Sequence, residues 1–113
     1  MSHITTHVLD VSLGRPAANV PVILEAKSAD GTWADTARGS TDSDGRLRDW
    51  TAAKSLPAGT YRLLFDTRAY FAARKTTTLY PQIIIVFEVK DAQEHYHIPL
   101  LLSPHGYSTY RGS

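Results

Sequence analysis

Turn signals recur at short intervals along this chain of 113 residues, and the segments between them have the length of β-strands. The signals combine Gly, Pro or Asp with small residues, at positions 14–16, 29–31, 42–45, 56–59, 80–81, 90–91 and 103–106. Between them, large apolar residues recur at every second position in segments 20–26 and 61–65, which is the period of a strand. Seven or eight short strands without a βαβ rhythm predict a single all-β domain over residues 1–113. We expect an antiparallel β-sandwich, with a barrel as the lesser alternative.

Two segments depart from this alternation. Residues 67–74 (TRAYFAAR) favour a helix of two turns at most, with Tyr70 and Phe71 docked on the core. Residues 83–89 are largely β-branched and apolar on both faces, which predicts a strand covered on one side by the second sheet. A partner subunit or a loop would cover the other side. One face of the sandwich is therefore a candidate interface.

The composition excludes several classes of function. A hydrophobic content of 42% and a charged content of 20% are typical of a soluble globular protein, and the apolar run at 83–87 is too short to span a membrane. The net charge of +1 comes from 12 basic and 11 acidic residues and gives no basic patch for nucleic acid. Without cysteine there are no disulfides, thiol nucleophiles or thiolate metal sites. The first residues show no secretory signal, so a cytoplasmic location is expected, with a periplasmic or peroxisomal one left open.

Histidines occur in two strand-like segments, one near each end of the chain. Alternation in the first segment places four residues on one face, namely His3, Thr5, His7 and Leu9. The second segment places four others opposite a core stripe of apolar residues, namely His95, His97, Pro99 and Leu101. Two imidazoles at i and i+2 suit acid–base chemistry or metal binding, whereas solvated surface histidines are the simpler interpretation. A zinc site would need a third ligand from His7 or His3, so the ligand set is incomplete.

An Asp- and Gly-rich turn at 41–45 comes directly before Arg46, at the start of a short strand. It superficially resembles a calcium loop but lacks the length, the closing Glu and the flanking helices of an EF-hand. Two interpretations stay open. Either this is a hairpin turn with an exposed arginine, or Arg46 is fixed where its guanidinium clamps an oxygen-rich planar ligand.

The last four residues, Tyr110, Arg111, Gly112 and Ser113, combine an aromatic ring, a guanidinium, a glycine and a hydroxyl. Chain ends of small domains are commonly frayed and expendable. This combination is more typical of a structured segment, and we expect it to have a functional role.

Three motifs, in this order, resemble those of the transthyretin-related 5-hydroxyisourate hydrolase family. They are I-T-T-H-V-L-D at 4–10, T-D-x-D-G-R at 41–46 and H-Y-H-I-P-L-L-L-S-P-x-G-Y-S-T-Y-R-G-S at 95–113. The segment G-R-P-A-A-N-V-P-V at 14–22 also matches the family's first hairpin. The resemblance implies a transthyretin-like antiparallel β-sandwich of two four-stranded sheets with one short helix. It also implies a homotetramer, a dimer of dimers.

The activity implied by the resemblance is the hydrolysis of a small molecule, 5-hydroxyisourate, to 2-oxo-4-hydroxy-4-carboxy-5-ureidoimidazoline in urate degradation, without a cofactor or metal. The implied catalytic residues, at the dimer–dimer interface, are His7, Arg46 and His97. The implied substrate-binding residues, which close the pocket, are Tyr110, Arg111, Gly112 and Ser113. Which histidine is the general base stays open, as do the roles of His3, His95 and His105. The alternative function is that of a transthyretin-like protein that binds a small ligand without turnover.

Overall fold

Two β-sheets pack face to face in the computed structural model, which describes residues 3–51 and 56–113 of the chain. Over these residues the strands are β1 (His3–Asp10), β2 (Arg15–Pro16), β3 (Pro21–Lys27), β4 (Trp33–Ser40), β5 (Arg46–Leu47), β6 (Gly59–Phe65), β7 (Ile83–Val89), β8 (His95–Ser103) and β9 (Gly106–Thr109). The helix α1 (Thr67–Ala73) lies between β6 and β7. Within the same residues, no helix is long and apolar enough to cross a membrane.

The first sheet is built around β1 and has the strand order β2-β1-β8-β9. Strands β1 and β8 are parallel and pair in direct register, from His3 opposite His95 to Asp10 opposite Leu102. The other edge of β1 is shared by β2 and the two-residue β5. The predicted β-sandwich is confirmed, but this sheet has five strands rather than four, and one of its strand pairs is parallel. The fifth strand exists because the turn before β5 is hydrogen-bonded directly to β1.

The second sheet has the order β4-β3-β6-β7 and is antiparallel throughout. Its predicted alternation is confirmed, because the inward residues of β3 and β6 are almost fully buried: Val22, Leu24, Tyr61, Leu63 and Phe65. The first sheet packs against them with Ile4, Val8, Leu100 and Leu102. Burial of each such large side chain contributes about 1.5–3 kcal/mol of hydrophobic free energy. The core therefore lies between two separate sheets, and the barrel alternative is wrong.

Strand β7 is an edge of the second sheet, and its two faces differ in exposure. Ile83 and Val89 are buried against the core, whereas the outward Ile84 and Val86 are 42% and 59% exposed. The prediction that both faces are apolar is confirmed. The prediction that a partner or a loop covers the outer face stays a prediction.

Helix α1 agrees with its predicted bounds to within one residue. The carboxylate of Asp66 caps its N-terminus by accepting a hydrogen bond of 3.0 Å from the backbone N–H of Ala69. Tyr70 and Phe71 are buried, as expected, and the helix is thereby anchored to the core.

A buried carboxylate ties the helix to the first sheet. Asp10, at the end of β1, is 1% exposed and accepts a hydrogen bond of 2.7 Å from the hydroxyl of Tyr70. The backbone N–H groups of Ser12 and Leu13 also donate to it. Burial alone would raise the pKa of Asp10, but these hydrogen bonds and one from the Ser12 hydroxyl outweigh it, and the pKa is lowered. Burial and the neighbouring Asp10 raise the pKa of Tyr70 to about 12, so the hydroxyl stays a donor.

Tyr70→Phe is expected to lower the free energy of unfolding by about 1.5–3 kcal/mol at pH 7, because a buried carboxylate loses one of its donors. Since the folded pKa of Asp10 is lowered, the stabilisation by its carboxylate is present above the unfolded pKa and is lost as the pH falls through the folded pKa. The difference between the two proteins should therefore shrink in acid. Urea unfolding at several pH values measures it. Tyr107→Phe, at a position 45% exposed, is the matched control, and an equal loss in both variants would contradict this role of Asp10.

Candidate active site

Three strands of the first sheet bring the predicted catalytic residues together on the face turned away from the core. On β1, the alternation is confirmed, because the four inward residues are buried: Ile4, Thr6, Val8 and Asp10. On β8, the four inward residues are likewise buried: Tyr96, Ile98, Leu100 and Leu102. Thr5 lies opposite His97 in the parallel register, and His7 lies opposite Arg46 on β5. His7, Arg46 and His97 thus share one surface.

The imidazole rings of this surface lie close to one another. The ring centroids of His7 and His97 are 6.5 Å apart, and those of His95 and His97 are 6.2 Å apart. The hydroxyl of Thr5 lies between the rings of β8, with Oγ1 at 2.8 Å from both Nε2 of His95 and Nδ1 of His97. The three rings and the Thr5 hydroxyl thus form one cluster on this face of the sheet.

The turn at 41–45 fixes Arg46 next to His7. Its Asp42 carboxylate accepts hydrogen bonds from the backbone N–H groups of Asp44, at 2.8 Å, and Arg46, at 2.9 Å. Gly45 has a φ of +76°, and its carbonyl accepts a bond of 2.7 Å from the N–H of Val8. A Cβ at Gly45 would lie 2.4 Å from the Val8 carbonyl oxygen, so the close approach requires glycine. The Asp-rich turn therefore serves to join β5 to β1.

Burial and nearby charge favour the neutral forms of His7 and His97. Burial lowers the pKa of His7 most, and the Arg46 cation lowers it further. Burial likewise lowers the pKa of His97, followed by the effects of His95, Arg46 and His7. Within the described part of the chain, the guanidinium of Arg46 is not in an ion pair. Two neutral imidazoles beside the Arg46 cation can accept a proton and bind an anionic oxygen.

An open cavity of about 600 Å³ is lined by residues of this cluster: Thr5, Thr6, Arg46, Arg48, His95, His97 and Ser113. A larger groove of about 920 Å³ lies on the outer face of the second sheet, and no histidine lines it. The smaller cavity is the better candidate, because it combines proton-transfer groups with cations. Sequence reasoning did not assign Thr5 and Arg48 to the site. Alternation places Thr5 on the face of His7, but its contacts with His95 and His97 depend on the register between β1 and β8. Arg48 lies two positions after Arg46, directly after β5.

The four terminal residues lie in two different parts of the structure. The backbone N–H of Gly112 donates a 2.8 Å hydrogen bond to the carbonyl of His97, and Ser113 lines the cavity. The Arg111 side chain instead pairs with Glu94 at 2.7 Å and lies 4.4 Å from the ring of Tyr96. Tyr110 is 56% exposed and borders, with Arg111, a groove beside β7. Within one chain, therefore, Gly112 contacts His97 and Ser113 lines the cavity, whereas Tyr110 and Arg111 are not among the residues that line it. Arg111 reaches the histidines through a 3.3 Å hydrogen bond to the backbone carbonyl of His95.

The remaining histidines take different positions. His95 is exposed on the face that carries His97, and His105 is exposed in the turn between β8 and β9, at the far end of β8 from His97. The side chain of His3 lies outside the described part of the structure. Among the residues that are described, no group of three His, Asp or Glu side chains is placed to hold a metal ion.

Comparison with known proteins points to one family. A family model described as the HIUase/Transthyretin family matches residues 4–112. The 5-hydroxyisourate hydrolase of Salmonella typhimurium is 44% identical over 110 residues, which are 97% of this chain and 80% of that protein. The solved structure of Klebsiella pneumoniae 5-hydroxyisourate hydrolase aligns with this one over 100% of both chains, with a TM-score of 0.88 and 37% sequence identity. Sea bream transthyretin in complex with thyroxine is also similar, with a TM-score of 0.91, 34% identity and coverage of 96% of this chain and 93% of that one.

Proposed function

Because this chain belongs to the HIUase/transthyretin family, we propose that it hydrolyses 5-hydroxyisourate to 2-oxo-4-hydroxy-4-carboxy-5-ureidoimidazoline in urate degradation. The observation that carries the proposal is that His7, Arg46 and His97 lie together on one face of the sheet, where Arg46 and His97 line the same cavity. The fold alone does not decide between hydrolysis and ligand binding, since the sea bream transthyretin bound to thyroxine is as similar in structure as the hydrolase is. Proton-transfer groups beside a cation favour a hydrolase over a protein that binds a ligand without turnover.

The chemistry of the site fits the opening of a cyclic amide. This reaction needs a water deprotonated near neutral pH, a cation for the developing oxyanion and a proton for the departing nitrogen. We assign water activation and proton delivery to His7 and His97, and the oxyanion and the substrate oxygens to Arg46. These three roles need no metal, so the reaction is proposed to be metal-independent.

The pH dependence of the reaction follows from the lowered pKa values of His7 and His97. A base with a lowered pKa stays in its active, neutral form to a lower pH than an ordinary histidine. We therefore expect the acidic limb of the kcat/KM profile to lie below the ordinary histidine value of about 6.5. Initial rates between about pH 5 and 8 measure it. A limb centred clearly above that value would contradict the assignment of a neutral imidazole as base.

Gly112 is proposed to hold the His97 ring in place, and Ser113 to contact the substrate. A Cβ at Gly112 would lie 2.5 Å from Cδ2 of His97, so the ring or the terminal segment must move. Gly112→Ala should lower kcat/KM by roughly 10²-fold, the cost of a misplacement of about 1 Å, with little change in Tm. Gly106→Ala is the control, since its Cβ would meet only Ser103 Oγ, at an ordinary 3.6 Å. Equal activity of the two variants would contradict the role proposed for Gly112. Substrate binding by Tyr110 and Arg111 stays a prediction.

The active assembly is proposed to be a homotetramer, a dimer of dimers with the catalytic sites at the dimer–dimer interface. Exposed apolar side chains support an assembly, among them Val11 and Leu13 after β1 and Val86 on β7. Among the described strands, β7 and β9 are sheet edges, and edge strands are suited to pairing with a second copy. Sedimentation of the active protein tests this. A fully active monomer at micromolar concentration would contradict an interfacial site.

Turnover distinguishes the hydrolase from the carrier. The protein is mixed with an excess of freshly generated 5-hydroxyisourate, and the product formed above the uncatalysed background is quantified. The proposal predicts many equivalents of product per subunit. A carrier would bind at most one equivalent per site and leave the background rate unchanged.

A further inference from the structure

Thr5 bridges the two histidines of β8. Its Oγ1 is 2.8 Å from Nε2 of His95 and 2.8 Å from Nδ1 of His97. Thr5 is only 7% exposed, whereas His95 is exposed to solvent. The hydroxyl therefore connects two imidazoles that both line the cavity with Arg46, and His95 is the more exposed of the two.

The single proton of a hydroxyl allows two arrangements of this bridge, because Thr5 donates to one ring nitrogen and accepts from the other. In the first, His95 donates from Nε2 to Thr5, and Thr5 donates to Nδ1 of His97. A neutral His97 then carries its proton on Nε2. In the second, His97 donates from Nδ1 to Thr5, Thr5 donates to Nε2 of His95, and Nε2 of His97 is bare.

We propose that Thr5 is a positioning residue that couples His95 and His97 in a proton relay. The coupling follows from the hydrogen bonds alone, while its catalytic consequence rests on the proposed hydrolase function. When Nε2 of His97 gives its proton to the substrate, Nδ1 takes the proton of Thr5, and Thr5 takes the Nε2 proton of a protonated His95. One proton thus passes from His95 to the substrate, and the first arrangement becomes the second. The reverse sequence takes a proton from water and leaves His95 protonated.

The relay suits the charge of its surroundings. Arg46 and Arg48 line the same cavity, His7 faces His97, and Arg111 donates from Nη2 to the backbone carbonyl of His95 at 3.3 Å. Next to the Arg46 cation a proton held on His97 is unfavourable. Transfer through Thr5 moves it to His95, whose side chain is exposed to solvent.

The coupling is tested without substrate by the tautomer of His97, read from long-range ¹H–¹⁵N spectra of histidine-labelled protein. Thr5→Val keeps the branched shape but removes the hydroxyl, and Thr5→Ser keeps the hydroxyl. The relay predicts that the Nδ1 and Nε2 shifts of His97 change in Thr5→Val and return in Thr5→Ser. Unchanged His97 shifts in Thr5→Val would overturn the coupling, whether or not the protein is a hydrolase.

The catalytic consequence is tested by kinetics on 5-hydroxyisourate. Thr5→Val should lower kcat about 10- to 100-fold with little change in KM, and Thr5→Ser should recover most of it. His95→Gln should act through the same path, so the double variant should be no slower than Thr5→Val alone. Losses that multiply in the double variant would overturn the relay. A wild type without turnover would overturn the hydrolase, while the spectra still decide the coupling.

Discussion

His97→Asn is expected to lower kcat/KM on 5-hydroxyisourate by about 10²–10⁴-fold, the usual contribution of a general acid or base. The amide keeps a polar group near the position of Nδ1, toward the Thr5 hydroxyl, but cannot take or give a proton at neutral pH. His7→Asn should have an effect of the same order, because the two rings lie 6.5 Å apart and are proposed to share the reaction. Initial rates with freshly generated substrate measure both losses.

The pH profiles of the two variants also decide which histidine is the base. The variant that lacks the base should lose the acidic limb of kcat/KM, and the variant that lacks the acid should keep it. His105→Asn is the matched control, since this side chain is exposed in the turn between β8 and β9. We expect the control to retain wild-type activity. Near-wild-type activity in both His7→Asn and His97→Asn would show that neither ring takes part in catalysis.

Gly45→Ala should give the largest loss of stability, about 2–4 kcal/mol. A positive φ of +76° costs an alanine about 1–2 kcal/mol, and its Cβ would also lie 2.4 Å from the carbonyl oxygen of Val8. That contact is with backbone, so relief requires the turn and β1 to separate. Urea unfolding measures the loss. Activity should fall as well, because the same separation displaces Arg46 from His7.

Gly31→Ala separates the cost of the positive φ from the cost of the contact with the Val8 carbonyl. Gly31 also has a positive φ, of +89°, but its Cβ would have no neighbour within 4 Å. The control should therefore lose only the conformational contribution of about 1–2 kcal/mol and keep full activity. Equal destabilisation of the two variants would mean that the turn is not held tightly against β1.

Most of the site face was predictable from local alternation. The positions of His7 and His97 away from the core follow from the buried residues on either side of them along β1 and β8. What alternation could not give is the pairing of β1 with β8, whose register joins residues about ninety positions apart. Thr5 has a role at the site only through that register, and for this reason sequence reasoning did not find it. The fifth strand was missed for a similar reason, since two residues are too few for a periodic signal.

The terminal segment shows a different limit. The motif treats Tyr110 to Ser113 as one unit, but neighbouring side chains leave an extended backbone in different directions. Within one chain, Arg111 is held by Glu94 and the ring of Tyr96, while Gly112 lies against His97. These partners come from β8 and from the turn before it, so no local pattern in the last four residues could reveal them.

The most direct test of the central claim is the absorbance decay of 5-hydroxyisourate, generated in place by urate oxidase, with and without this protein. The experiment is run before and after dialysis against a chelator, since a site made of two imidazoles and a guanidinium needs no metal. We predict a decay that accelerates in proportion to the amount of protein and is unchanged by the chelator. A decay at the uncatalysed rate would contradict the hydrolase. An acceleration lost on chelation and restored by zinc would contradict the proposed roles of His7, Arg46 and His97.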